Sequence, residues 1–307
     1  MTSLVTPAGT PRPGVVVAAW AIVLALSLLP VVVAQELLGR RVDADLRAGL
    51  SVALLLACLA ATVAWRPARG LRPVLWLLLV LVATQWVVHT RLDLLPFIAT
   101  RLADPSFAVF MPVEQALNLV VTLVMIAALL ALKRDRRAFY LAKGDPSAPA
   151  APVRWMGVGQ GARWSTLGPV LCVAITGGTL VFLVLSGAPS GERLARALPS
   201  LGIVLVCAAL NAFNEEVTYK AGFLAVLVEP VGARNALRMV AAFFGLAHFY
   251  GVPYGIVGVV LAWFLGWILA RSMLETRGLW WAWCIHFLQD VAIFGFMVTG
   301  AITPGGA

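Results

Sequence analysis

Charged side chains are scarce in this chain, at 12% of its 307 residues, where a soluble domain carries roughly a quarter. With 61% of the residues hydrophobic and a mean hydropathy of +0.93, there is too little polar surface to clothe a water-soluble fold, and that class is excluded. Cysteine is also sparse. Cys58, Cys172, Cys207 and Cys284 all fall inside apolar runs, with neither the CxxC spacing of a zinc site nor the density of a secreted disulfide framework, so they read as small packing residues. Acidic residues are outnumbered, giving a net charge of +9. In a soluble protein that excess would suggest a nucleic-acid partner. Here the Lys and Arg residues lie almost entirely between apolar runs, which is the distribution of topology signals, and no nucleic-acid partner is expected.

Apolar runs near the roughly 20 residues needed to cross about 30 Å of hydrocarbon recur at 15–34, 48–65, 74–90, 107–132, 168–187, 199–228, 234–249, 252–271 and 279–299. The expected fold is therefore all-α, a polytopic transmembrane bundle of about 8–9 membrane helices, nine by this reading. The run 74–90 is short, and 234–249 ends at the Gly/Pro-containing stretch His248-Phe249-Tyr250-Gly251-Val252-Pro253. The first run ends in Val32-Val33-Ala34, which has the form of a signal-peptidase site. It is long for a signal segment and more spans follow, so it is expected to stay as the first membrane helix.

Alternate connections carry 15 and 7 Lys and Arg residues. The positive-inside rule then places the N-terminus in the cytoplasm of a multi-pass cell-membrane protein, and the Ala/Val/Arg-rich composition points to a bacterial chain. The only long polar connection divides the sequence into an N-terminal helix group at 1–137, a cytoplasmic linker at 138–167 and a C-terminal helix group at 168–307. It opens with the basic cluster Lys133-Arg134-Asp135-Arg136-Arg137, a topology anchor that also suits anionic headgroups. Membrane lipids are the first expected partners.

Within the run 199–228 stands Asn211-Ala212-Phe213-Asn214-Glu215-Glu216-Val217-Thr218-Tyr219-Lys220. Each ionised group at bilayer depth costs about 2.5–3.5 kcal/mol on insertion scales, which makes this segment a functional hypothesis by default. On a regular helix Glu215 and Glu216 project about 100° apart, while Glu216 and Lys220, four apart, share a face and pair. Glu215 has no cation at that spacing and faces elsewhere with Asn211 and Tyr219. A buried carboxylate without a cationic partner holds a proton more readily, as a general base near neutrality must.

Further on come Phe244-Gly245-Leu246-Ala247-His248 and His286-Phe287-Leu288-Gln289-Asp290. His286 and Asp290, again four apart, can point into one cavity, the carboxylate orienting the imidazole or sharing a water or metal with it. The third histidine, His89, has no acidic neighbour within its run and reads as an interfacial residue.

The order Glu-Glu-x-x-x-Lys, Phe-x-x-x-His and His-x-x-x-Asp on successive membrane helices resembles the family of CAAX prenyl endopeptidases and bacteriocin-processing proteins, the CPBP family of intramembrane proteases. The similarity covers roughly residues 200–295. The resemblance implies a peptidase acting on a peptide or membrane-protein substrate. Glu215 would activate the attacking water with Glu216 beside it, and His248, His286 and Asp290 would bind that water and stabilise the oxyanion. His248, His286, Asp290 and a glutamate would make a zinc set, and equally a metal-free hydrogen-bonded cage. Lys220 stands where the family pattern has arginine; it keeps the pair with Glu216 but lacks the planar fork. A non-catalytic scaffold or bacteriocin-immunity protein with the same fold is the alternative. An ion-coupled transporter is disfavoured by the absence of an internal repeat.

Two other patterns read as structural. Gly258, Ala262, Gly266 and Ala270 recur every fourth position, a ridge for close helix approach. Trp280, Trp281 and Trp283 follow Arg277 at the start of a run, where indoles settle at headgroup level.

Overall fold

The computed structural model describes residues 11–132 and 134–301; Lys133 of the basic cluster lies outside the described residues. The helices are α1 (Pro13–Leu26), α2 (Leu29–Val32), α3 (Ala44–Ala64), α4 (Arg72–Thr90), α5 (Pro96–Leu102), α6 (Phe107–Ala131), α7 (Trp164–Gly187), α8 (Gly191–Ala197), α9 (Leu201–Glu215), α10 (Gly222–Val231), α11 (Ala233–Ala247), α12 (Ile256–Thr276) and α13 (Trp280–Val298). A π-helical turn, Val33–Leu37, extends α2, and a second, Glu216–Ala221, joins α9 to α10. Among the described residues no strand forms, and only two isolated β-bridges occur, both within 149–163. This is the all-helical answer that lipid imposes, because each helix satisfies its own backbone.

Among the described residues seven helices are long and apolar enough to cross a membrane, and an eighth is obtained by joining Pro13–Leu26 to Leu29–Leu37 across a 53° bend. The expected nine is thus reduced, because α11 has only 15 residues, about 22 Å of rise against about 30 Å of hydrocarbon. Its ends nonetheless lie on opposite faces of the bundle. It starts just after Glu229, which pairs with Arg134 at 3.3 Å. It finishes at a loop whose Tyr250 hydroxyl donates to Gln35 Oε1 at 2.7 Å, at the far end of the first span. His248, which caps this helix, is half-buried and lines a cavity.

The segment 138–163 folds as a cap over one face. Asp145 N–H donates to Thr276 O at 2.7 Å and Leu279 N–H to Ala142 O at 2.8 Å. Phe139 and Trp164 are buried, and the Trp164 indole donates to Glu275 Oε2 at 2.8 Å. Gly144 and Gly278 meet backbone to backbone, where a Cβ on either would collide. The tryptophans at the start of α13 fasten this cap and its neighbours: Trp281 Nε1 donates to Pro146 O at 2.9 Å and Trp283 Nε1 to Ala209 O at 3.1 Å.

Helices of the N-terminal and C-terminal groups share one core, in which Leu77, Leu78 and Met125 pack with Leu224, Phe223 and Met239. The small-residue ridge of α12 faces α11. A Cβ at Gly266 would come within 2.9 Å of the Phe244 ring, and one at Gly258 within 2.9 Å of His248 O. That close approach sets the position of the end of α11, from which His248 extends.

Candidate active site

Glu216 is the centre of a dry strut. Its Oε1 accepts from Lys220 Nζ at 2.7 Å and lies 2.7 Å from His286 Nδ1. Glu216 and Lys220 are fully buried. The Lys220 ammonium also sits 3.2 Å from the centroid of the Phe244 ring, a cation–π contact that shields its remaining face. The α10, α11 and α13 neighbourhoods are thereby tied to one carboxylate.

His286 carries this strut to the open side. With Nδ1 on Glu216, its Nε2 faces Glu215 Oε2 and Asp290 Oδ2, both at 3.6 Å. Asn211, one turn before Glu215, donates from Nδ2 to Asp290 Oδ2 at 3.0 Å and towards Glu215 Oε1 at 3.4 Å. Glu215 Oε2 and Glu216 Oε2 are both buried without a hydrogen-bond partner, which is rare for carboxylate oxygens; of the two residues only Glu215 borders the cavity.

These groups line a cavity of about 800 Å³ between α7, α12 and α13. Asn211, Glu215, His248, His286, Gln289 and Asp290 supply its polar wall, and residues of α7 and α12 supply most of the rest. Met156 and Val158 of the cap lie at one end, Val252 and Pro253 at the other. His248 Nδ1 is 2.8 Å from Phe244 O. A proton on Nδ1 serves that carbonyl and leaves Nε2 as the nitrogen for the cavity. The Phe244 ring stands between the two imidazoles, 4.4 Å from that of His248 and 6.1 Å from that of His286 by centroids.

The structure thus places Glu215, His248, His286 and Asp290 around one cavity, with Glu216 and Lys220 behind it. Two sequence expectations are altered. The carboxylate that holds the His286 ring by a short hydrogen bond is Glu216, not Asp290. Tyr219 does not line this cavity: its hydroxyl accepts from Gln85 Nε2 at 2.5 Å and faces a second cavity. The cause is the π turn, whose wider hydrogen-bonded loop advances each residue by less than the 100° of an α-helix. Asn211 and Glu215 keep α-helical register, whereas Tyr219 falls behind the face they share.

Residues of α6 brace the site without having been foreseen. Gln115, buried, donates to Asn211 Oδ1 at 3.1 Å, and its backbone carbonyl accepts from Asn214 Nδ2 at 3.1 Å. Thr122 Oγ1 bonds Asn214 Oδ1 at 3.1 Å and Thr218 Oγ1 at 3.0 Å. The sequence signal was a polar stripe, Gln115, Asn118 and Thr122, at helical spacing inside an apolar run.

The donors do not fit a metal site as arranged. Among the described residues no group of three or more His, Cys, Asp or Glu side chains is placed to hold an ion. His286 Nδ1 bonds Glu216 and His248 Nδ1 a backbone carbonyl, so that both Nε2 atoms face the cavity.

Comparison with known proteins agrees with the motif reading. The family model described as Type II CAAX prenyl endopeptidase Rce1-like matches residues 197–292, the stretch from the end of α8 to within α13 that contains Asn211, Glu215, His248, His286, Gln289 and Asp290 of the cavity wall. No curated protein and no solved structure matches the chain. The matched segment, under a third of the chain, is consistent with the CPBP family of intramembrane proteases, and the chain as a whole is an all-helical, multi-pass membrane protein.

Proposed function

We propose that this protein is an intramembrane endopeptidase that hydrolyses a peptide bond with a water activated by Glu215. The observation that carries the reading is the convergence of Glu215, His286, Asp290 and Asn211, from two helices, on one membrane cavity in which Glu215 Oε2 has no partner. A water beside Glu215 Oε2 and His286 Nε2 loses its proton to Glu215 as it attacks the scissile carbonyl. The oxyanion that forms takes a hydrogen bond from His286 Nε2–H, whose ring is charged among the carboxylates of Glu215, Glu216 and Asp290, while His248, with its proton on Nδ1, presents an accepting Nε2 to the substrate. Glu215 then returns the proton to the leaving amine. Glu216 acts through His286, fixing its ring, and Asn211 fixes the carboxylates of Glu215 and Asp290; both are positioning residues.

The substrate is a peptide or membrane protein that approaches from the lipid between α7 and α12, where the cavity wall is apolar. The Lys and Arg asymmetry favours a cytoplasmic N-terminus in a bacterial cell membrane, with the cap on the cytoplasmic face. The test is reconstitution in lipid with a library of quenched membrane-anchored peptides. Cleavage by the wild type and its loss in Glu215→Gln, at equal protein level and thermal stability, is expected. Cleavage by the variant at the wild-type rate would overturn the mechanism. If the wild type cleaves nothing but binds peptides in the cavity, the scaffold reading holds; the lysine at position 220, where the family pattern has arginine, is its one support.

A further inference from the structure

On the other side of the π turn lies a second cavity, of about 410 Å³, formed by the first span, α3, α4 and α11. Its size falls in the range of small-molecule sites. The depth is apolar, with Leu78, Leu81 and Phe243 in the wall, and Tyr219 and Gln85 form a polar pair beside them. The mouth is different in kind. Arg47, Trp86 and His89 line it near the start of α3 and the end of α4, on the face opposite the cap.

Arg47 is the informative residue. The carboxylate of Asp45, two residues before it, is engaged by Arg91 at 2.9 Å and by the Trp86 indole at 2.7 Å, and Asp93 faces His89 at 4.0 Å. Among the described residues Arg47 has no ion pair and no side-chain hydrogen bond, yet it borders an apolar cavity between membrane helices. A guanidinium placed so matches a phosphate bidentately. A soluble ligand would have to cross the headgroup layer to fill the apolar depth, whereas a bilayer lipid already has its chain at that level.

We infer that this cavity binds one anionic phospholipid of the surrounding bilayer, with an acyl chain against Leu78, Leu81 and Phe243 and the phosphate on Arg47. The bound chain rests against Tyr219, the residue before Lys220, and so supports the segment that carries the strut. The inference depends on this cavity alone and stands whether or not the protein cleaves peptides.

The experiment uses the full-length protein purified in detergent, with phosphatidylglycerol and phosphatidylcholine of matched chains as probes. Native mass spectrometry counts lipids retained after detergent exchange, and a phosphatidylglycerol bearing a photoreactive group in its chain maps the contact. The wild type should retain one phosphatidylglycerol about fivefold more strongly than phosphatidylcholine, the gain that one basic residue gives near a headgroup, and the photolabel should fall on α4 and α11. Arg47→Gln should abolish the preference. Ser51→Phe, which fills the cavity from a half-buried lining position, should lower retention of both lipids. Equal retention of the two lipids by the wild type, or an unchanged preference in Arg47→Gln, would overturn the proposal. So would labelling spread evenly over the lipid-facing helices, which needs no variant to fold, or displacement of phosphatidylglycerol by an equal concentration of oleate, which would make the ligand a free fatty acid.

Discussion

Glu215 and Glu216 are consecutive in the chain and occupy opposite kinds of environment. Glu216 is wholly buried, held by Lys220 and His286. Glu215 is part of a cavity wall, with its side chain about a quarter exposed, and touches His286 only at 3.6 Å. One imidazole joins them, and in the proposed mechanism the two carboxylates divide the work: Glu216 fixes geometry, while Glu215, the one that borders the cavity, receives the water. A buried ion pair contributes little net stability but is costly to break, which suits a strut. An unpaired carboxylate beside a cavity is unfavourable unless it is used.

The comparison is broken most directly by exchanging the amide for each acid. Glu215→Gln should lower turnover by about 10²- to 10⁴-fold, the range for a general base, with thermal stability close to wild type. Glu216→Gln should leave measurable turnover but unfold at lower temperature. The reverse pattern in paired melting and cleavage measurements would exchange the two roles.

Next in size is the cation. Lys220→Ala leaves Glu216 buried without its ammonium and should destabilise the protein by about 3–5 kcal/mol, read from thermal denaturation in lipid; Lys220→Arg should recover most of that loss and preserve activity. Wild-type melting in Lys220→Ala would mean that the strut does not bear on the fold.

A smaller effect is expected at Gln115. Gln115→Leu removes the donor to Asn211 and should cost about 1–3 kcal/mol for the polar groups left unpaired. If Asn211 positions the carboxylates, kcat should fall while KM holds, and Gln115→Glu, which keeps an acceptor but not the donor, should not restore it. A fall in stability with unchanged kcat would make Gln115 a packing residue only.

The smallest expected effect is none. Because no three His, Cys, Asp or Glu side chains among the described residues are placed to hold an ion, exhaustive chelation should leave cleavage within about twofold, as for a reaction whose nucleophile is generated by a carboxylate. Loss of cleavage on chelation, with recovery on adding zinc, would show that the donors rearrange around an ion.

Hydropathy was sufficient to establish a polytopic helical bundle, because lipid permits few alternatives to helices for backbone satisfaction. The Glu216–Lys220 pair and the shared face of His286 and Asp290 were legible for a related reason, since both are four apart on one helix and need no knowledge of neighbours. What the sequence could not supply depended on contacts between segments far apart. Gln115 lies 96 residues from the Asn211 it supports, and the short bond from Glu216 to His286 spans 70 residues. The π turn that removes Tyr219 from the cavity is likewise a tertiary outcome. It places the buried lysine between Glu216 and the Phe244 ring, and no local propensity distinguishes six residues of π-helix from the α-helix around them. Sequence alone determined the solvent, the helices and which groups are too polar to face lipid; packing decided which of those groups meet, because pairing between helices is set by the surface each one buries and not by spacing along the chain.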